Sequence, residues 1–368
     1  MSGRIRVGVL MGGASSERDI SLASGQMIAQ HLPPERYEVV MLDTLALMAH
    51  NPKISPALRA QAQALVGPRG GAVAAPREGG VLPAAFQAEI DKAEQAVAPA
   101  TAALSPSPEG ARIDVAFPAL HGPYGEDGTI QGLLEVLGVP YVGSGTLASA
   151  LAMDKTMAKK VFAADGIPLA RGFEVRRVDF SSDPQGTVDR VAELLPVVVK
   201  PVHQGSSIGI GMASRRDELE GVLRAAFAFD PRVLVEERIV GTELTAAVIG
   251  NRELQALPLV EIVAKRAFFD YEAKYDPAAS DEICPARVSD AVAREAQEIA
   301  MRAHRALGCR GLSRTDLIAT EDRGLFVLEL NTLPGMTVNS LLPKAARAAG
   351  IPFAELLDRL VRLALEDE

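Results

Sequence analysis

Leu312-Ser-Arg-Thr-Asp-Leu-Ile-Ala-Thr-Glu-Asp-Arg-Gly-Leu-Phe-Val-Leu-Glu-Leu-Asn-Thr-Leu-Pro-Gly-Met-Thr-Val-Asn-Ser340 holds two apolar runs, 314–319 and 325–330, around a polar turn at 320–324. The pattern predicts a β-hairpin with a longer, Gly-containing loop. Side chains alternate faces along a strand, so Arg314 shares a face with Asp316, and Glu329 shares one with Asn331. Pairing of the two strands would converge three oxygen-bearing side chains and one guanidinium. Asp316, Glu329 and Asn331 are hard oxygen ligands suited to Mg²⁺, which takes a few carboxylates and leaves room for substrate phosphates. Arg314 beside them would hold an anion that develops during reaction.

Alternating charges on a strand usually form only a solvated face. Here Leu317, Val327, Leu328 and Leu330 make the other faces apolar enough for burial. Polar groups within a buried strand need partners, which favours a metal site. The turn that follows carries Gly335, which lets backbone N–H groups approach a ligand. Glu329-x-Asn331-x-x-Pro334-Gly335-Met336, with Arg314-x-Asp316 upstream, resembles the metal-binding segment of D-alanine–D-alanine ligases of the ATP-grasp superfamily.

A hydrophobic content of 48% and a charged content of 23% describe a soluble globular protein. At 368 residues, two or three domains are expected. A net charge of −9 without a basic block argues against a nucleic-acid surface. No Trp and 4% aromatics argue against base stacking. The apolar runs are too short to span a bilayer, and the start of the chain lacks a signal-peptide core. Cys284 and Cys309 form no ligand cluster and are expected as buried free thiols in a reducing, cytoplasmic setting.

Taken in order, residues 5–11 read as a buried strand, Gly12-Gly13 as a turn, and 15–30 as an amphipathic helix with Ser16 as N-cap. A strand at 37–42 continues an open α/β sheet. Residues 67–110 read as a loop-rich insertion, with a helix near 57–65 before it. A strand over 113–120 delivers His121-Gly-Pro-Tyr-Gly-Glu-Asp-Gly128 to the sheet's carboxyl edge, where such sheets bind ligands. A helix over 129–137 and a strand over 140–142 close the first unit. Lys200 ends a short buried strand and precedes a Gly/Ser loop at 203–211, whose N–H groups suit phosphate oxygens. Its order is not that of a P-loop.

The resemblance covers nearly the whole chain outside the insertion. It implies an α/β ATP-grasp fold of three domains: an N-terminal open α/β substrate domain (1–145), a central lid (146–240) and a C-terminal catalytic domain (241–368). It implies ATP-dependent joining of two D-alanines through an acyl phosphate, for peptidoglycan precursors, in a homodimer. Glu17 would hold the amino group of the first D-alanine, with His121 beside it. Lys155, Lys200 and Lys274 would meet ATP phosphates, Glu236 the adenine amino group and Glu243 the ribose. Residues 268–285 resemble the loop that closes over the site, where Tyr275 would contact Ser206 and Glu17. Asp316, Glu329 and Asn331 would hold two Mg²⁺ ions, with Mn²⁺ as the alternative metal. Arg314 and the Gly335 N–H would stabilise the oxyanion, and Ser340 with Leu341 would hold the second carboxylate. The rival readings are another ATP-grasp carboxylate–amine or D-alanine–D-lactate ligase, a non-catalytic nucleotide-binding regulator, and an α/β binding protein without ATP.

Overall fold

A computed structural model describes residues 3–15, 17–66, 92, 98–99, 112–205, 207–264 and 280–366. The first sheet is parallel. Strand β1 (Ile5–Met11) lies between β2 (Tyr37–Asp43) and β4 (Val115–Pro118), and the short β3 (Ala98–Pro99) extends β2. Val7, Val9 and Met11 face one core, with Leu22 and Ile28 of helix α1 (Arg18–His31). Leu10 faces the other, with Ile130 and Leu134 of α3 (Thr129–Leu137). Both faces are covered, which is why β1 carries no polar side chain from Val7 onward instead of alternating. Helix α2 (Pro56–Val66) matches the helix expected there.

Several expectations need correction. Glu17 occupies the N-cap position of α1 without a side-chain cap, and Ser16 lies outside the described residues. Helix α1 is buried through most of its length rather than amphipathic, because a C-terminal helix covers its second side. The strand expected over 113–120 shrinks to β4, and 140–142 makes one bridge, Tyr141 to Ala116. Apart from Lys92, Ala98 and Pro99, the insertion at 67–110 lies outside the described residues.

Helix α4 (Thr146–Met153), missed in the sequence, and α5 (Lys155–Ala164) follow. Asp154 caps α5, its Oδ1 accepting the Met157 N–H at 2.9 Å. The second sheet is antiparallel. It comprises β5 (Gly172–Arg176), β6 (Val197–Pro201), β7 (Gly211–Ala213) and β8 (Arg232–Glu237) in the order β5-β8-β6-β7. Helices α6 (Arg177–Ser182), α7 (Pro184–Ala192) and α8 (Arg216–Phe227) cover it. Its core, including Phe180, Leu219, Leu223, Val233 and Val235, draws on residues 173–235 alone. By contrast, Ala152, Ala158 and Phe162 of α4 and α5 pack into the core of the third sheet.

That third sheet holds β9 (Thr242–Gly250), β10 (Gln255–Ala256), β11 (Val260–Ala264), β12 (Ser280–Ile283), β13 (Gly311–Ala319) and β14 (Leu325–Asn331). The order is β12-β11-β9-β13-β14, with β10 on β9. Helix α9 (Asp290–Ala306) lays Ala296, Ile299, Ala300 and Ala303 on one face. On the other face, Ala247, Ile249 and Leu312 join α10 (Leu341–Ala348), α11 (Phe353–Ala364) and the N-terminal sheet in one continuous core. The first and third sheets are thereby fused, while the second keeps its own core. Among the described residues no helix is long and apolar enough to cross a membrane. Both cysteines are free, and they are half-buried rather than sealed.

Candidate active site

The hairpin forms with the convergence its sequence predicts. Arg314 pairs with Asn331 and Asp316 with Glu329 across β13 and β14. A register shift between Asp316 and Leu317 leaves Leu328 as the extra residue, and Leu328 lines the site instead of the core face. Such a bulge re-aims side chains next to a site. Leu317 and Val327 are fully buried, as expected for the opposite face.

The four polar residues stand where two cavities meet. One, of about 360 Å³, lies between the second and third sheets and is lined by Lys155, Lys200, Glu236, Glu243 and Asp316. The other, of about 390 Å³, reaches the first sheet and is lined by Glu17, His121, Asn331, Gly335 and Ser340. Gly205, Glu282, Arg314, Glu329 and Leu341 line both. Ser206, Lys274, Tyr275 and most of the 268–285 loop lie outside the described residues.

The electrostatics are tightly paired. The Arg314 guanidinium donates to both Asp316 oxygens, at 2.9 and 2.7 Å, from a side chain with little exposure. Burial works against its charge, but Asp316 and Glu329 hold its pKa above the usual arginine value. Lys155 Nζ donates to the Gln204 carbonyl at 2.6 Å and lies 3.4 Å from Glu329 Oε2. Glu236 is bracketed by two ammonium groups, Lys159 at 2.6 Å and Lys200 at 2.9 Å. Burial alone would raise its pKa; Lys200 and Lys159 outweigh that and keep it ionised. Burial likewise opposes charge on Lys200, and Glu236 reverses the effect.

Asn331 Oδ1 accepts the Leu333 N–H at 2.8 Å, which fixes the amide at the strand's end. Ser340 occupies the N-cap position of α10, and its Oγ accepts the Thr337 N–H at 3.1 Å. A Cβ on Gly335 would stand 3.0 Å from that Oγ, a tight contact that the Ser340 side chain would have to relax.

Sequence reasoning missed Lys159 and Glu126. Lys159 lies one turn after Lys155 on α5, a spacing that puts both on one face. Glu126 lines the second cavity, and its Oε2 accepts the Gly122 N–H at 2.6 Å. Neither carries a local signal that separates it from a surface charge.

Two family models match the chain: "D-ala D-ala ligase N-terminus" over residues 6–144 and "D-ala D-ala ligase C-terminus" over 161–362. The chain belongs to the D-alanine–D-alanine ligase family. A D-alanine–D-alanine ligase of Syntrophobacter fumaroxidans is 43% identical over 99% of each chain. One of Desulforudis audaxviator is 44% identical over 98% of this chain and 99% of its own. Among solved structures, the D-alanine–D-alanine ligase of Bacillus anthracis complexed with ATP aligns at TM-score 0.70 and 29% identity, covering 98% of this chain and 97% of that one. The VanG D-Ala:D-Ser ligase of Enterococcus faecalis aligns at TM-score 0.76 and 28% identity, covering 98% and 100%. The three sheets are those of an ATP-grasp ligase.

Proposed function

We propose that this enzyme joins two D-alanines to D-alanyl-D-alanine at the expense of ATP, for peptidoglycan precursors. The observation that carries the reading is the Arg314–Asp316–Glu329–Asn331 quartet at the junction of the two cavities, in a chain of this family. The cavity between the sheets takes ATP, with Lys155, Lys200 and Lys274 on its phosphates. Glu236 takes the adenine amino group and Glu243 the ribose hydroxyls, for which carboxylates are good acceptors. The cavity at the first sheet takes D-alanine. Glu17 and His121 hold the first molecule, and Ser340 with the backbone near Leu341 holds the second.

A carboxylate does not acylate an amine in water, because oxide is a poor leaving group. The first D-alanine's carboxylate therefore attacks the γ-phosphorus, ADP leaves, and an acyl phosphate forms. The amine of the second D-alanine then attacks the acyl carbon and phosphate departs. Arg314 and the Gly335 N–H stabilise the tetrahedral oxyanion. Tyr275 and Ser206 belong to the lid contact that keeps water from the acyl phosphate.

The donor set fits Mg²⁺: two carboxylates and an amide oxygen brought together across the β13–β14 pair, beside space for phosphates. Asp316, Glu329 and Asn331 would hold two such ions, or Mn²⁺ in their place, which when bound neutralise phosphoryl charge. Three domains with boundaries near 145 and 240, a homodimer and a cytoplasmic location complete the proposal.

The test is mass spectrometry of products from ATP, Mg²⁺ and D-alanine, with D-lactate and D-serine as competitors. D-alanyl-D-alanine with stoichiometric ADP is the expected result. A mixed product with either competitor, in preference to the dipeptide, would replace the second substrate. No D-alanine-dependent release of phosphate would remove the ligase assignment.

A further inference from the structure

The root of the 203–211 loop is stitched to the start of α5 by consecutive residues. The Lys155 N–H donates to the Val202 carbonyl at 3.3 Å, and Lys155 Nζ donates to the Gln204 carbonyl at 2.6 Å. Between them stands His203, which plays no part in the site described above. Its backbone N–H donates to Asp230 Oδ2 at 2.9 Å, and its Nδ1 lies 2.8 Å from the same oxygen. Its Nε2 lies 3.4 Å from Oδ2 of Asp154, the cap of α5.

We propose that His203 is a positioning residue for ATP: by bridging Asp230 and Asp154 it fixes the loop root against the N-terminus of α5. The phosphate-covering loop and Lys155 then meet the same nucleotide in one register. This rests on the reading of that loop and Lys155 as the phosphate site.

The geometry is specific. Asp230 is 3% exposed and grips the imidazole and the backbone of the same residue, so rotation of the ring breaks a two-point contact. Asp154 both caps α5 and receives Arg232 Nη1 at 2.7 Å. Among the described residues, the charged groups recorded against the imidazole are Asp230, Asp154 and Arg232. Asp230 and Asp154 favour the imidazolium, whereas Arg232 Nη1, 3.3 Å from Nε2, opposes it. Arg232 is itself tied to Glu174 at 2.6 Å, and Glu174 to Arg176 at 3.1 Å. The hydrogen bond to Asp230 is the largest influence, and it holds the His203 pKa above the ordinary histidine value. A raised pKa means the bridging form is complete below the ordinary value and is lost as pH rises through the raised one.

The experiment uses the full chain and measures KM for ATP, KM for D-alanine and kcat from pH 6 to 9. It compares wild type, His203→Gln and the charge-retaining His203→Lys. In His203→Gln, KM for ATP rises about tenfold, while kcat and KM for D-alanine stay within about twofold. The wild-type KM for ATP climbs as pH passes the histidine titration, and the glutamine variant lacks that climb. His203→Lys restores tight ATP binding at all these pH values. A glutamine variant with the wild-type KM and pH profile overturns the proposal, as does a lysine variant that fails to rescue while melting at the wild-type temperature. Failure of wild type to bind a non-hydrolysable ATP analogue overturns the phosphate-site reading as well, which separates the two.

Discussion

Glu329 lines both cavities, and its carboxylate lies 3.4 Å from Lys155. Glu329→Gln keeps the volume and removes a charge from the proposed metal face. Turnover should fall by about 10²-fold or more, the scale of losing a main electrostatic stabiliser. Turnover close to wild type at limiting Mg²⁺ would take Glu329 out of the ligand set. A second residue-level effect concerns stability rather than chemistry. His304 is 1% exposed, with Nδ1 2.8 Å from Ser313 Oγ. Burial, helped by the charge of Arg305, pushes its pKa down to about 4. The unfolded chain then takes up a proton that the folded one refuses as pH falls from 6.5 towards 4. Stability attached to this group is therefore present above 6.5 and is lost on acidification, by about 2 kcal/mol between pH 7 and 5. Urea unfolding at the two pH values, in wild type and His304→Asn, should show that part of the loss only in wild type. Equal losses in both would assign the acid sensitivity to other groups.

At the level of elements, the α11 helix explains much of what the sequence did and did not disclose. Its Leu356, Leu357 and Leu360 are fully buried in the core shared by the first and third sheets. Tyr37 at the start of β2 donates to its Asp358 at 2.7 Å. Leu360→Ala should therefore cost about 2–5 kcal/mol, and more than a truncation at the exposed Val136 of α3. Chemical denaturation of both variants checks the order; equal, small effects would mean that α11 is not a structural link. The same helix is why α1 looked amphipathic: the partner that buries its second side lies more than 300 residues downstream. The β13–β14 hairpin was legible because two apolar runs around a Gly-containing turn are local signals. The bulge after Asp316 was not, because a one-residue shift leaves no mark in the pattern of apolar residues. Strands β5, β11 and β12 went unread because they mix charged with apolar residues over four or five positions. The residues alone gave the Arg314 quartet and the phosphate loop. The remaining site positions came from resemblance, and Lys159 escaped both.

Across the whole molecule the three sheets are not equally joined. The core of the second sheet is closed on itself, and α4 and α5 pack on the third sheet instead. Polar links between the second and third units include Lys159–Glu236 at 2.6 Å and Arg323–Glu237 at 2.8 Å. Arg323 is exposed, and such pairs contribute little in water. The cavity proposed for ATP, however, takes Lys200 and Glu236 from the second unit and Glu243, Asp316 and Ile318 from the third. A bound nucleotide would therefore add a bridge between units whose apolar cores are separate. Calorimetry without nucleotide should give two transitions, the lower belonging to residues 172–237. Leu223→Ala should move only the lower transition and Leu317→Ala only the upper, since each side chain is fully buried in one core. A non-hydrolysable ATP analogue at about 100 times its Kd stabilises the bound state by about 2.7 kcal/mol. That contribution is available only while both units are folded, so the lower transition should rise and merge with the upper. A single transition without nucleotide, shifted alike by both leucine variants, would mean that the second sheet is coupled to its neighbours through protein contacts rather than through the ligand.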